Sequence, residues 1–281
     1  MRLQFMILCA FGLLLCFGRQ ASGYNIFVDY SQVGHDTAII PALLSWGNTV
    51  TAVADYGGED LSNFDIVMDF DFDSYHPLTA QERAAYTNAL NRGSGLYLQG
   101  ERPTGTYVLR DASVLNYLSY LGAGNITVDW RDIFYNIANP YEQALATPVT
   151  RNTNLTYKYD TSLMVLNPGN GFFVVHTNEI APYAAGQIYG DFSNIIGFDK
   201  GQLLNAPNGR LIGFFDITYL DPAYGWDTNQ YIFKEIVNYL GDSKTVSLLG
   251  SNPSSVPEPG SIVLFLAGGV LWAVRAKYLR K

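Results

Sequence analysis

Residues 64–101 read FDIVMDFDFDSYHPLTAQERAAYTNALNRGSGLYLQGE. The run Phe64–Phe70 is apolar, short and bounded by polar residues, which predicts a strand. Thr79-Ala80-Gln81-Glu82 is a capping box, in which the Thr hydroxyl accepts from the N–H of Glu82 and the Glu carboxylate accepts from the N–H of Thr79. It opens a helix that runs to Asn91, with Gly93 and Gly95 past its end. Gly95–Gln99 (GLYLQ) then predicts a second strand. Two strands joined through a helix form a crossover, and a crossover pairs its strands parallel.

Upstream, Asn25–Tyr30 (NIFVDY) and Thr49–Ala54 (TVTAVA) predict strands on either side of a helix at Thr37–Trp46. Downstream, Ser113–Leu121 predicts a helix, and Gly171–His176 (GFFVVH), Gly186–Tyr189 and Arg210–Asp216 (RLIGFFD) predict strands. A closing helix from Asp227 or Thr228 to Leu240 carries Ile232, Phe233, Ile236, Val237 and Leu240 on one face, with Gly241 as its stop. This alternation predicts an α/β fold of three layers, with a mainly parallel sheet covered on both faces in a flavodoxin-like or Rossmann-like layout. After Asn125–Val128 the pattern loosens, and residues 129–170, rich in Asn, Thr, Tyr and Pro, read as an irregular insertion over one end of the sheet.

Of 281 residues, 48% are hydrophobic and 15% charged, which suits a folded domain with a full core. The bases are unevenly placed: Arg2, Arg19, Arg275, Lys277, Arg280 and Lys281 lie in two ends that hold no acid. Between those ends 11 bases face 25 acids, a charge of −14 where the whole chain carries −8. Such a body repels phosphate backbones, which excludes a nucleic-acid partner. Cys9 and Cys16 both fall in the apolar N-terminal stretch, so the body has no thiol for a disulfide, a cysteine zinc site or a nucleophile. No cofactor is expected.

The ends read as addresses. Arg2, the apolar run Phe5–Phe17 and the small residues Ala21-Ser22-Gly23 read as a secretory signal peptide over residues 1–23, removed by signal peptidase after Gly23, against an uncleaved membrane anchor for which the apolar run is short. The body then spans residues 24–245, followed by a polar linker at 246–256. Val256-Pro257-Glu258-Pro259-Gly260-Ser261 leads into the uncharged run Ile262–Val274 and a basic end. Residues 257–281 resemble the PEP-CTERM sorting signal of Gram-negative bacteria, with Pro257, Glu258 and Pro259 as its signature tripeptide. As a helix Ser261–Val274 rises about 21 Å against a bilayer core of ~30 Å. Trp272 and Tyr278 suit the interface, and the flanking bases can snorkel. The resemblance implies a transmembrane sorting helix, recognition and cleavage by an exosortase, and release to the cell surface or an exopolysaccharide matrix.

Two junctions of the body resemble class I glutamine amidotransferase-like domains: Leu78–Glu101, and Gly209–Asp216 with the closing helix at Asn229–Leu240. That family places a Cys at the turn after the strand, and here the position holds Glu101. A carboxylate does not replace a thiolate in amide transfer, so the resemblance implies a domain without the family's nucleophile. Glu101 and Arg102 still sit at a strand's carboxyl end, where open α/β sheets bind ligands, and are candidate ligand-binding residues. The alternative is a pair that satisfies itself at a surface turn. His176 and Glu179 form a second candidate pair, loosely like the family's His-x-Glu but one residue longer, against a hydrogen-bonded structural histidine.

Asp69, Asp71 and Asp73 alternate, which puts all three on one side of an extended chain, where they would draw a hard metal cation such as Ca²⁺. The calcium-loop pattern fails, lacking its Gly and with Ala80 in place of its closing Glu, and a solvated acidic strand end is the favoured reading. The 20 Tyr, 16 Phe and 4 Trp, with Asn clustered in the insertion, suit stacking on sugars and are equally usual in a secreted core without disulfides. The expected function is an exported, exosortase-sorted surface or matrix protein with a non-catalytic α/β domain that binds a glycan or other ligand. The rival is a secreted hydrolase using Glu101, His176 or a metal at Asp69, Asp71 and Asp73.

Overall fold

The computed structural model describes residues 23–30, 38–71, 76–133, 141–142, 147–150, 156–157, 162–175, 192–216, 220–222 and 226–248. Two compact units divide the chain, Met1–Thr245 and Val246–Lys281, and the sheet and candidate site belong to the first. Its first half runs β1 (Asn25–Asp29), α1 (Ile39–Ser45), β2 (Thr49–Val53), β3 (Ile66–Asp69), α2 (Ala80–Asn91), β4 (Gly95–Gln99) and α3 (Val108–Tyr120). Then come β5 (Ile126–Ile133), β6 (Tyr141–Glu142), β7 (Thr156–Tyr157), β8 (Ser162–Pro168), β9 (Phe172–Phe173), β10 (Ile195–Phe198), β11 (Arg210–Phe214) and α4 (Trp226–Leu248).

A seven-stranded sheet has the order β2-β1-β3-β4-β11-β10-β9. Neighbours from β2 through β11 pair parallel, and β10 and β9 add antiparallel at the far edge. Period-two alternation divides the strands between two cores. Ile26, Val28, Ile66, Met68, Tyr97, Ile212 and Phe214 pack with Ile39 and Leu43 of α1 and with Phe233, Ile236 and Leu240 of α4. Phe27, Val67, Leu96, Leu98 and Leu211 pack on the other face with Tyr86 and Leu90 of α2 and Val114 and Leu118 of α3. Each fully buried side chain of this kind contributes about 1.5–3 kcal/mol, so both faces must be covered for the sheet to persist. The capping box forms as read: Thr79 Oγ1 accepts from the Glu82 N–H at 3.2 Å, and Glu82 Oε2 accepts from the Thr79 N–H at 2.5 Å.

Two expectations need correction. Gly241 does not stop the last helix, which continues to Leu248. A Cβ at Gly241 would stand 2.3 Å from Tyr24 Cε1, so the residue is small because the Tyr24 ring lies against the helix there. The stretch 129–170 is also less irregular than it reads. β5 and β8 pair antiparallel across it, from Ile126↔Pro168 to Ile133↔Ser162, with register shifts after Thr127 and after Asp129. Those bulges reset the side-chain alternation, which hides the strand from a period-two reading. Among the described residues no helix is long and apolar enough to cross a membrane. Residues 1–22 of the expected signal peptide and the tail with Pro257, Glu258 and Pro259 lie outside the described residues.

Candidate functional site

The chain leaves β1 for β2 on one side and returns to β3 on the other, so the strand order reverses between β1 and β3. In an open parallel sheet that reversal opens a crevice beyond the strands' carboxyl ends. Asp29 and Asp69 are the last residues of the two strands and stand opposite each other in register. Alternation aims both at the face covered by α2 and α3, and neither is exposed.

From α3, Arg110 donates to Asp69 Oδ1 at 2.5 Å, to the Gln99 carbonyl at 3.0 Å and to the His76 carbonyl at 2.9 Å. Both members of this ion pair are fully buried. Asp69 Oδ1 also accepts from the Asp71 N–H at 3.0 Å, so the chain turns on the Asp69 side chain as soon as the strand ends. Tyr86 of α2 donates to Asp29 Oδ2 at 3.3 Å. Asp71 and Glu82, 2% and 5% exposed, complete the group, so the acidic strand end is buried rather than solvated.

Asp69, Asp71 and Glu82 act together on the Arg110 guanidinium, and Asp29 lies among the same three acids. Burial, then repulsion from Asp69, Asp71 and Glu82, pushes the Asp29 carboxyl up to about 8, against the hydrogen bond from Tyr86. Burial pushes Asp69 up to about 7, with the Arg110 charge as the main opposing pull.

One strand further on, the turn after β4 is tightly packed. A Cβ on Gly100 would meet Asp111 Oδ1 at 2.5 Å and the Phe215 ring at 2.6 Å. Glu101 is 5% exposed, and its N–H donates to Asp111 Oδ1 at 2.8 Å while its carbonyl accepts from the Leu163 N–H of β8 at 3.0 Å. Glu101 is therefore not at a surface turn. The Arg102 guanidinium lies 5.1 Å over the Tyr107 ring. Burial pushes Asp111 up to about 8, opposed first by the Glu101 N–H and then by Arg110. Beyond β11, Asp216 Oδ2 accepts from Ser162 Oγ at 3.2 Å and from Asn194 Nδ2 at 3.4 Å, all three groups being buried.

Of the sequence-derived candidates, Asp69, Asp71, Glu101 and Arg102 lie along this carboxyl edge, Asp69 joined to Arg110 and Asp71 grouped with Asp29 and Glu82. Asp73, His176 and Glu179 lie outside the described residues. The sequence reading missed Asp29, Glu82, Arg110, Asp111, Ser162, Asn194 and Asp216. A polar residue ending each apolar strand was the available signal for Asp29 and Asp216. Arg110 and Asp111 carried none, because α3 begins at Val108, ahead of the expected start at Ser113.

No protein-family model matches the chain, and no curated protein matches it. Among solved structures, the mmIFT52 N-terminal domain is similar at a TM-score of 0.52 and 13% sequence identity, covering 77% of this chain and 96% of that one. At that identity the likeness concerns the fold alone.

Proposed function

We propose that this chain is exported, is sorted to the cell surface or an exopolysaccharide matrix through residues 257–281, and binds a glycan there through a non-catalytic α/β domain. The observation that carries the reading is the order of the tail: Pro257-Glu258-Pro259, then the uncharged Ile262–Val274, then Arg275, Lys277, Arg280 and Lys281. Tripeptide, span and basic end in that sequence resemble an exosortase substrate of a Gram-negative bacterium.

Three features support a binding role for the domain. Counting only the parallel strands in chain order, the sheet runs 2-1-3-4-5, the order of flavodoxin-like sheets that take ligands at their switch point. In the amidotransferase-like reading Glu101 occupies the nucleophile's place, and its N–H is donated to Asp111 rather than held for an oxyanion. On β5, Trp130 is 45% exposed, and the paired strand β8 is bonded to the turn at Glu101, so the ribbon that carries this exposed indole adjoins the carboxyl edge.

Processing tests the reading directly. In the producing cell, Glu258→Ala leaves the tail uncleaved and the chain at the inner membrane, and deletion of residues 261–281 leaves the chain in the periplasm. Tail cleavage in Glu258→Ala, or delivery of the deletion variant to the surface, would contradict it. For the binding half, Trp130→Ala weakens retention of the purified protein on the producer's exopolysaccharide without lowering its melting temperature. Unchanged retention would remove the glycan role.

A further inference from the structure

We propose that Asp29, Asp71 and Glu82 form a site for one hard divalent cation, Ca²⁺ above others, where β1 and β3 diverge. Each presents one carboxylate oxygen, the three atoms lie within 4.8 Å of one another, and all three residues are buried. Oxygens on opposite sides of one Ca²⁺ stand about 4.6–5.2 Å apart, and on Mg²⁺ about 4.0–4.2 Å. Three atoms inside that span close on Ca²⁺ with little rearrangement, and Ca²⁺ tolerates irregular geometry where Mg²⁺ demands an octahedron.

A second observation points to a ligand independently of the clustering. Asp29 is completely buried, and among the described residues its Oδ1 has no hydrogen-bond partner. Leaving a buried carboxyl oxygen without a partner is costly, and a bound cation would supply one. Arg110 is held by Asp69, Gln99 and His76. The other two acids are fixed in advance: the capping box holds Glu82 by Oε2, and the turn on Asp69 sets the backbone of Asp71. The position, beyond the carboxyl ends of β1 and β3, is where this topology opens its crevice. The ligands come from three separate segments, so no contiguous calcium-loop motif announces them. The inference does not depend on how the chain is sorted.

The test uses the full-length chain in mild detergent, with Ca²⁺, Mg²⁺ or EGTA, read by calorimetric titration and melting temperature. One Ca²⁺ binds per chain, and at a hundredfold excess over Kd it raises the melting temperature by about 5–10 °C relative to EGTA. Mg²⁺ gives a smaller shift. Asp29→Asn, close to isosteric, abolishes the Ca²⁺ shift, and Glu82→Gln, which keeps the helix cap, lowers the affinity. Equal melting in Ca²⁺ and EGTA with no binding heat would overturn the proposal. So would a Ca²⁺ shift that survives in both variants, since the ion would then sit elsewhere.

Discussion

At the level of single residues, Arg110 and Asp111 do most to fix the carboxyl edge. Arg110→Met removes the charge that Asp69 faces and leaves a fully buried carboxylate unpaired. Losing one partner of a buried ion pair costs about 3–5 kcal/mol, so the variant melts well below the parent, and an unchanged melting temperature would count against the pair's structural role. Asp111 behaves differently, because burial holds its carboxyl up to about 8 while in the unfolded chain it titrates near the ordinary 3.8. Between those values the unfolded state releases a proton that the folded state keeps. Its contribution to stability is thus full below about pH 4 and is lost as pH rises toward 8, by at most about 1.36 kcal/mol per pH unit. Asp111→Asn removes that dependence and can still accept the Glu101 N–H through its Oδ1. Denaturant melts at pH 5 and pH 8 should show the variant gaining on the parent as pH rises, whereas a constant difference would mean Asp111 is ionised in the fold.

Among the elements, α2 and α4 show what was legible and what was not. The capping box at Thr79 and Glu82 is written in four consecutive residues, and it forms with both hydrogen bonds in place. Thr79→Ala should lower stability by about 1 kcal/mol, measurable as a shift in denaturant midpoint. Gly241 was misread because a glycine at a helix end and a glycine under a ring look alike in sequence. The two readings predict opposite signs. If the glycine only weakens α4, Gly241→Ala should stabilise by up to about 1 kcal/mol through helix propensity. A Cβ 2.3 Å from the Tyr24 ring instead forces that ring away and breaks its bond to Asp242, and overpacking of this kind costs about 1–3 kcal/mol. The expected result is destabilisation that shrinks when Tyr24→Ala is added. The β5–β8 pair stayed hidden for a different reason, since bulges break the alternation by which a strand is recognised.

For the whole molecule, alternating strands and helices sufficed to read a mainly parallel sheet with helices on both faces, because hydrophobic periodicity is local. The site was read only in part, because its groups meet from distant segments. Asp69 and Arg110 are 41 residues apart, and Ser162 and Asp216 are 54 apart. Spacing within one segment found Asp69 and Asp71 but not the Asp29 and Glu82 that stand beside Asp71. The address proposed for the two ends is the opposite case, since it is read from contiguous residues and needs no fold. The chain is proposed to be exported and released by cutting at both ends, and intact-mass spectrometry of material washed from the surface of the producing cell reads both cuts at once. One species is expected, beginning at Tyr24, ending near Pro257-Glu258-Pro259 and lacking Arg275, Lys277, Arg280 and Lys281. A surface species that retains the basic C-terminus through Lys281, or a chain that keeps residues 1–23 and stays in the cytoplasm, would contradict it.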